Sequence, residues 1–128
     1  MVNLLKVDHV KFYVKDLEKT EEWYMDKLGF KRLRLVDLGG GQRYVELSNG
    51  KVGIDLEVPK GVEKLNHISG HDLGYTHVGF TVANVQEAYE DLVRKGVEFR
   101  AKPRYNDVNG RTLAFFQDPE GNTLHLTD

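Results

Sequence analysis

Cysteine is absent from the 128 residues, which removes disulfides, thiolate nucleophiles and cysteine-ligated zinc or iron-sulfur centres. Any metal must then be held by nitrogen and oxygen. No apolar run approaches the roughly 20 residues that a membrane-spanning helix needs. Residues 1–6 also lack the charged start, apolar stretch and cleavage site of a secretory leader, so the expected location is the cytoplasm. An excess of one charge is missing too: 18 basic and 20 acidic residues leave a net charge of -2 and are interspersed, with no basic stripe to neutralise phosphates. Neither nucleic acid nor a membrane is an expected partner. What is present, 40% hydrophobic and 30% charged residues in about one domain's length of chain, is the balance of a soluble globular protein.

The chain divides into two similar halves. The strand VDHVKFYV runs into Asp16, a good helix N-cap, and then into an amphipathic helix whose Leu17, Thr20, Tyr24 and Leu28 share one face before Gly29 stops it. Strands are expected over 30–38, over 42–48 after Gly39-Gly40-Gly41, and over 51–58 after the hairpin signal Asn49-Gly50. The pattern then restarts, because YTHVGFTV has the form of VDHVKFYV, and His9 and His77, like Val14 and Val82, stand 68 residues apart. Asn84 takes the N-cap role with Glu87 three residues on, Gly96 stops the second helix, and strands are expected over 97–104, 111–117 and 122–127. The organisation is one domain of two βαβββ modules, about 5–58 and about 74–128, joined by a linker over 59–73.

A module of this size cannot bury both faces of its sheet. The expected fold is therefore α+β, with the two modules paired into a half-open curled sheet and the helices outside. Four strands, 7–14, 52–58, 76–82 and 123–127, place one metal-capable side chain each opposite their apolar residues: His9, Asp55, His77 and His125. Because successive strand side chains point to opposite faces, one face packs on helices while the other offers imidazoles and a carboxylate to a shared cup. A lone histidine on a strand is more often a surface or satisfied core residue. Three histidines and one aspartate at corresponding places of a repeat point instead to a metal site.

Paired βαβββ modules carrying the DHV opening, the THVGFTV restart and the turn Asp118-Pro119-Glu120-Gly121-Asn122 resemble the vicinal oxygen chelate superfamily, which includes glyoxalase I, methylmalonyl-CoA epimerase, extradiol dioxygenases and bleomycin resistance proteins. The resemblance runs over nearly the whole chain. It implies a metal site at His9, Asp55, His77 and His125, with open positions where two neighbouring substrate oxygens chelate the ion. The commonest pattern has Glu in both fourth strands, so Asp55 and His125 are departures, and Glu57 shares the face of Asp55 and replaces it if the register slips by two. Three imidazoles and one carboxylate suit iron, nickel, zinc, cobalt or manganese better than calcium or magnesium.

Three function classes follow from the resemblance. The first is a glyoxalase-like or epimerase-like isomerase or lyase acting on a small molecule through a metal-stabilised enediolate, with Asp55 or Glu57 as general base. A glutathione-using enzyme would carry Arg late in the first strand and Asn after the fourth-strand carboxylate, where this chain has Tyr13 and Pro59, which counts against glutathione. The second is an extradiol-type iron dioxygenase, whose carboxylate belongs in the last strand, where this chain has His125. The third is a ligand-sequestering protein without catalysis, against which the retained histidines count. A homodimer is implied by analogy with members of this length. Glu46 and Gln117 are candidate cavity residues, and Arg43, Tyr44, Tyr105 and Arg111 candidate substrate contacts. His67 and His71 are candidates to close over the cup, and Trp23 is expected in the core or an interface.

Overall fold

The computed structural model describes residues 1–61 and 76–128, so His67, His71 and most of the expected linker lie outside the described residues. The chain forms two compact units, Met1–Lys64 and Leu65–Asp128. Each carries one helix and one four-stranded sheet, an α+β architecture.

In the first unit the order is β1 (His9–Tyr13), α1 (Leu17–Leu28), β2 (Lys31–Gly39), β3 (Gln42–Ser48) and β4 (Gly53–Val58). Across the sheet the order is β1-β4-β3-β2, with β1 parallel to β4 and the other pairs antiparallel. The Asp16 carboxylate accepts the Lys19 N–H at 3.1 Å and opens α1. Gly29, at φ 72, ends it in a left-handed conformation that costs a residue without Cβ little. The expected helix face is the buried one: Leu17, Thr20 and Tyr24 lie against β3 and β4, over Val45, Leu47, Ile54 and Leu56. Tyr24, fully buried, meets Trp23 and Phe30 edge to face. Glu21 is also buried on this helix, where Arg32 of β2 grips its carboxylate.

The second unit repeats the plan with β5 (Val78–Thr81), α2 (Val85–Arg94), β6 (Arg104–Asn106), β7 (Arg111–Gln117) and β8 (Thr123–Thr127), in sheet order β5-β8-β7-β6. Asn84 caps α2 by accepting the Glu87 N–H at 3.0 Å. Val85, Leu92, Val97, Ala114, Phe116, Leu124 and Leu126 form its core.

The strand expected over 97–104 does not form as one piece. The Val97 N–H still bonds back to Leu92 O at 2.9 Å, Phe99 makes a single bridge to Phe116, and the ladder resumes only at the three-residue β6. The Arg100 N–H still reaches Phe115 O of β7 at 3.0 Å, but beyond it Ala101 and Lys102 are exposed and Pro103 has no N–H to donate, so the ladder is interrupted before β6. Strands β1 and β5 are also shorter than the expected 7–14 and 76–82, which leaves His77 one residue ahead of β5. Among the described residues no helix is long and apolar enough to cross a membrane.

The expected turn before the last strand is present and densely bonded. The buried carboxylate of Asp118 accepts the backbone N–H groups of Glu120 and Asn122 at 2.9 Å each and the Asn122 side-chain amide at 2.8 Å. Hydrogen bonds to a charged acceptor contribute about 1.5–3 kcal/mol each, and these partners would be orphaned together. Asp118→Ala is expected to lower stability by about 2–4 kcal/mol, read as a reduced urea midpoint with an unchanged slope, while Asp118→Asn retains part of the loss.

Candidate metal centre

Burying one face of each sheet against its helix leaves the other face to polar side chains. In the first unit Ile54 and Leu56 are fully buried, so Asp55 between them projects the opposite way. It lies level with Lys11 on β1 and Glu46 on β3. His9 Nε2 approaches Asp55 Oδ2 to 3.6 Å, and His9 Nδ1 lies 2.9 Å from Asp8 Oδ2. One ring nitrogen is thus engaged by a carboxylate, which orients the ring and turns the other toward Asp55. The Asp8 contact, reinforced by Asp55, raises the His9 pKa above its usual value.

Neighbouring carboxylates have different surroundings. Asp55 is pushed upward by burial, with Glu46 adding like-charge repulsion against the opposing pull of His9 and Lys11. Glu57, buried two residues on, pairs with Lys11 and accepts the Gln42 amide at 2.9 Å, and these contacts hold its pKa down. Glu46 is lowered by Arg34, which binds both its oxygens at 2.8 and 3.0 Å. The pair His9 and Asp55 opens into a cavity of about 320 Å³ that Lys6, Glu46, Lys51 and Gly53 also line.

In the second unit His125 projects between the buried Leu124 and Leu126, level with Gly79 on one side and Phe115 on the other. Its ring centroid is 4.7 Å from that of His77 and 4.9 Å from that of Phe115. His77 Nδ1 sits 2.8 Å from the Thr76 hydroxyl, so a neutral side chain takes the place one residue ahead that the Asp8 carboxylate takes at His9. His125 Nδ1 is buried with no hydrogen-bond partner, and burial, followed by the His77 charge, lowers its pKa, so the ring is held neutral.

The structure thus brings His9 to Asp55 and His77 to His125, each pair within one unit. Glu57 shares the sheet face of Asp55 but is committed to Lys11 and Gln42. Among the described residues no group of three or more His, Asp or Glu is gathered for a metal. The donors nonetheless fit a first-row divalent ion by chemistry: an oriented imidazole beside a carboxylate, and a neutral imidazole whose buried nitrogen lacks a partner.

Of the candidate contacts, Arg43 reaches Glu18 of α1 and so lies on the helix side of its sheet. Tyr44 is on the polar face, with Lys11 Nζ 4.9 Å from its ring centroid. Gln117 pairs with Thr123 at the end of the His125 face, Arg111 shares that face by alternation and Tyr105 does not. Trp23 is half-buried against Tyr24.

A family model described as the Glyoxalase/Bleomycin resistance protein/Dioxygenase superfamily matches residues 6–126. The chain belongs to this superfamily. It is 30% identical over 123 residues to a lactoylglutathione lyase of Arabidopsis thaliana, but spans 42% of that protein's length. It is 30% identical over 127 residues to the uncharacterized protein YwkD of Bacillus subtilis, covering 96% of each chain. The crystal structure of a glyoxalase family protein from Enterococcus faecalis superposes with a TM-score of 0.83 at 26% identity, covering 96% of this chain and 97% of that one.

Three residues of this superfamily member's site escaped the sequence expectations. Gly53 and Gly79 lie inside strands, itself a sign of close approach. A methyl group at Gly53 would fall 3.0 Å from His9 Cβ, and one at Gly79 would fall 2.2 Å from His125 Nε2. Lys11 matches Gly79 at the repeat spacing and carried no pattern of its own.

The Glu57 network sets a stability prediction. Its folded pKa lies below the ordinary 4.5, so its contribution is complete above that pH and is lost as pH falls through the lowered value. Glu57→Gln is expected to cost about 1–3 kcal/mol at pH 7. The penalty should shrink below pH 4.5, as checked by urea titrations at pH 7 and pH 3.5.

Proposed function

We propose that this protein is a metal-dependent enzyme of the glyoxalase-like or epimerase-like type, an isomerase or lyase acting on a small substrate with two neighbouring oxygens. The donor pairs His9 with Asp55 and His77 with His125 would supply the ligands for a divalent transition metal, iron, nickel, zinc, cobalt or manganese. The observation that carries this reading is the approach of His9 Nε2 to Asp55 Oδ2, 3.6 Å apart, in a cavity large enough for a small molecule. Membership of a superfamily that includes lyases and dioxygenases, and likeness to a lactoylglutathione lyase, support an enzyme. Exposed Leu33, Leu35 and Leu38 on β2 support a homodimer.

The chemistry such an ion supplies when bound is Lewis-acid stabilisation of negative charge on the two substrate oxygens. The chain's own residues supply the rest. Asp55 is the better base of the two carboxylates, because burial raises its proton affinity while Lys11 and Gln42 lower that of Glu57. It takes the proton from the carbon that bears the substrate hydroxyl and returns it to the neighbouring carbonyl carbon, while the hydroxyl proton passes to the other oxygen, so that the atoms of an isomerisation balance. Glu57 acts at one remove, by holding the Lys11 ammonium next to Asp55.

Mass spectrometry of tag-free protein is expected to find near one first-row metal ion per chain, lost in His77→Ala and in His125→Ala. Iron would favour the dioxygenase, and nickel, zinc or cobalt the isomerase. No metal even after reconstitution would defeat both and leave a ligand-sequestering protein. With a turned-over substrate in hand, Asp55→Asn should lower kcat by about 10²–10⁴, and Glu57→Gln by much less.

A further inference from the structure

The two sheets carry matched rows of three positions across the faces turned away from their helices, and the rows differ most in side-chain size at the β1 or β5 end. In the first unit the row is Lys11, Asp55, Glu46; in the second it is Gly79, His125, Phe115. The middle residue is a metal-capable group in both. The residue on the β1 or β5 side is a long cation in one and has no side chain in the other.

That missing side chain is occupied space. A Cβ at Gly79 would fall 2.2 Å from Nε2, 2.7 Å from Cδ2 and 3.3 Å from Cε1 of His125, so the imidazole lies directly over the β5 backbone. Gly79 is not held by its own conformation, since it is absent from the positive-φ glycines. Its lack of a side chain serves a neighbour and not a turn. On the other flank Phe115 presents its ring at 77° to the imidazole, which closes that direction. His125 therefore leans toward β5, and this brings its centroid to 4.7 Å from His77, two residues ahead of Gly79.

We propose that Gly79 is a positioning residue, whose empty side-chain place lets the His125 ring lie across β5 beside His77 as a paired nitrogen donor. The inference rests on the metal-enzyme reading. It also accounts for the difference between the halves. In the first unit Lys11 fills the equivalent place and is drawn to Glu57, and the shorter Asp55 reaches His9 without crossing the strand. An imidazole at 55 would face the Lys11 stem, whereas the position that faces 125 on β5 carries no side chain.

The test is Gly79→Ala, read first in the metal-free protein. In long-range proton-nitrogen spectra of the wild type, the His125 ring protons should be displaced by the currents of the His77 and Phe115 rings. Gly79→Ala is expected to abolish that displacement and to weaken zinc binding at least tenfold in competition with a chelating dye. Gly79→Ala/His125→Ala should bind no more weakly than His125→Ala alone. Retained ring shifts, or zinc affinity within twofold of a zinc-binding wild type, would overturn the proposal. If Gly79→Ala does not fold, adding His125→Ala must restore folding, because the clash partner is then gone; failure to restore it means that the glycine serves the backbone and the proposal is wrong. A wild type that takes up no zinc defeats the metal reading, while the ring shifts still decide whether Gly79 places His125.

Discussion

The pleat of two strands is the constraint on which the rest of this molecule depends. Ile54 and Leu56 are fully buried on β4, and Leu124 and Leu126 are buried on β8, so the residue between each pair has no choice of face. A slip of one residue would turn two apolar side chains into solvent and one polar group into the core. At about 1.5–3 kcal/mol per side chain the apolar loss alone is about 3–6 kcal/mol, before the cost of burying Asp55 or His125. The packing that stabilises each unit is thus the same packing that aims its donor.

On that shared scaffold the two polar faces have taken different characters. The first is charged: across the four strands two cations, Lys11 and Arg34, flank two carboxylates, Asp55 and Glu46, with Glu57 and Gln42 beside them. Its partners lower two carboxylates and leave Asp55 raised by burial. The second is aromatic: His77, His125 and Phe115 pack ring against ring, and burial keeps His125 neutral. One half offers a carboxylate and a histidine oriented by Asp8, the other a pair of imidazoles. That difference in electrostatics is what a repeat with diverged side chains produces on a conserved backbone plan.

Much of this was legible in the chain because it is local or periodic. The Asp16 and Asn84 caps, the Gly29 stop, the Asn49-Gly50 turn and the β3, β7 and β8 spans all rest on short-range chemistry, and all appear where expected. The strand expected over 97–104 forms only in part: the alternation at Val97 and Phe99 is real, but the Val97 N–H bonds back to the end of α2, and Pro103 interrupts the ladder after the Phe99–Phe116 bridge and the Arg100 N–H bond to Phe115 O. Glu57 looked equal to Asp55 in sequence, two residues apart on one face. Only its contacts with Lys11 and Gln42 separate them, and Gln42 is 15 residues away in the chain.

Composition, periodicity and repeat spacing by themselves determined the two βαβββ modules, the faces that bury, and the placement of His9, Asp55, His77 and His125 on the faces that do not. These follow from alternation along a strand and need no knowledge of what lies across it. What the tertiary structure alone decided is cross-strand: that His9 meets Asp55, that Glu57 is spent on Lys11, and that Gly79 makes room for His125. Register between strands distant in sequence brings those residues side by side, and a strand's own pattern carries no record of its neighbour's side chains.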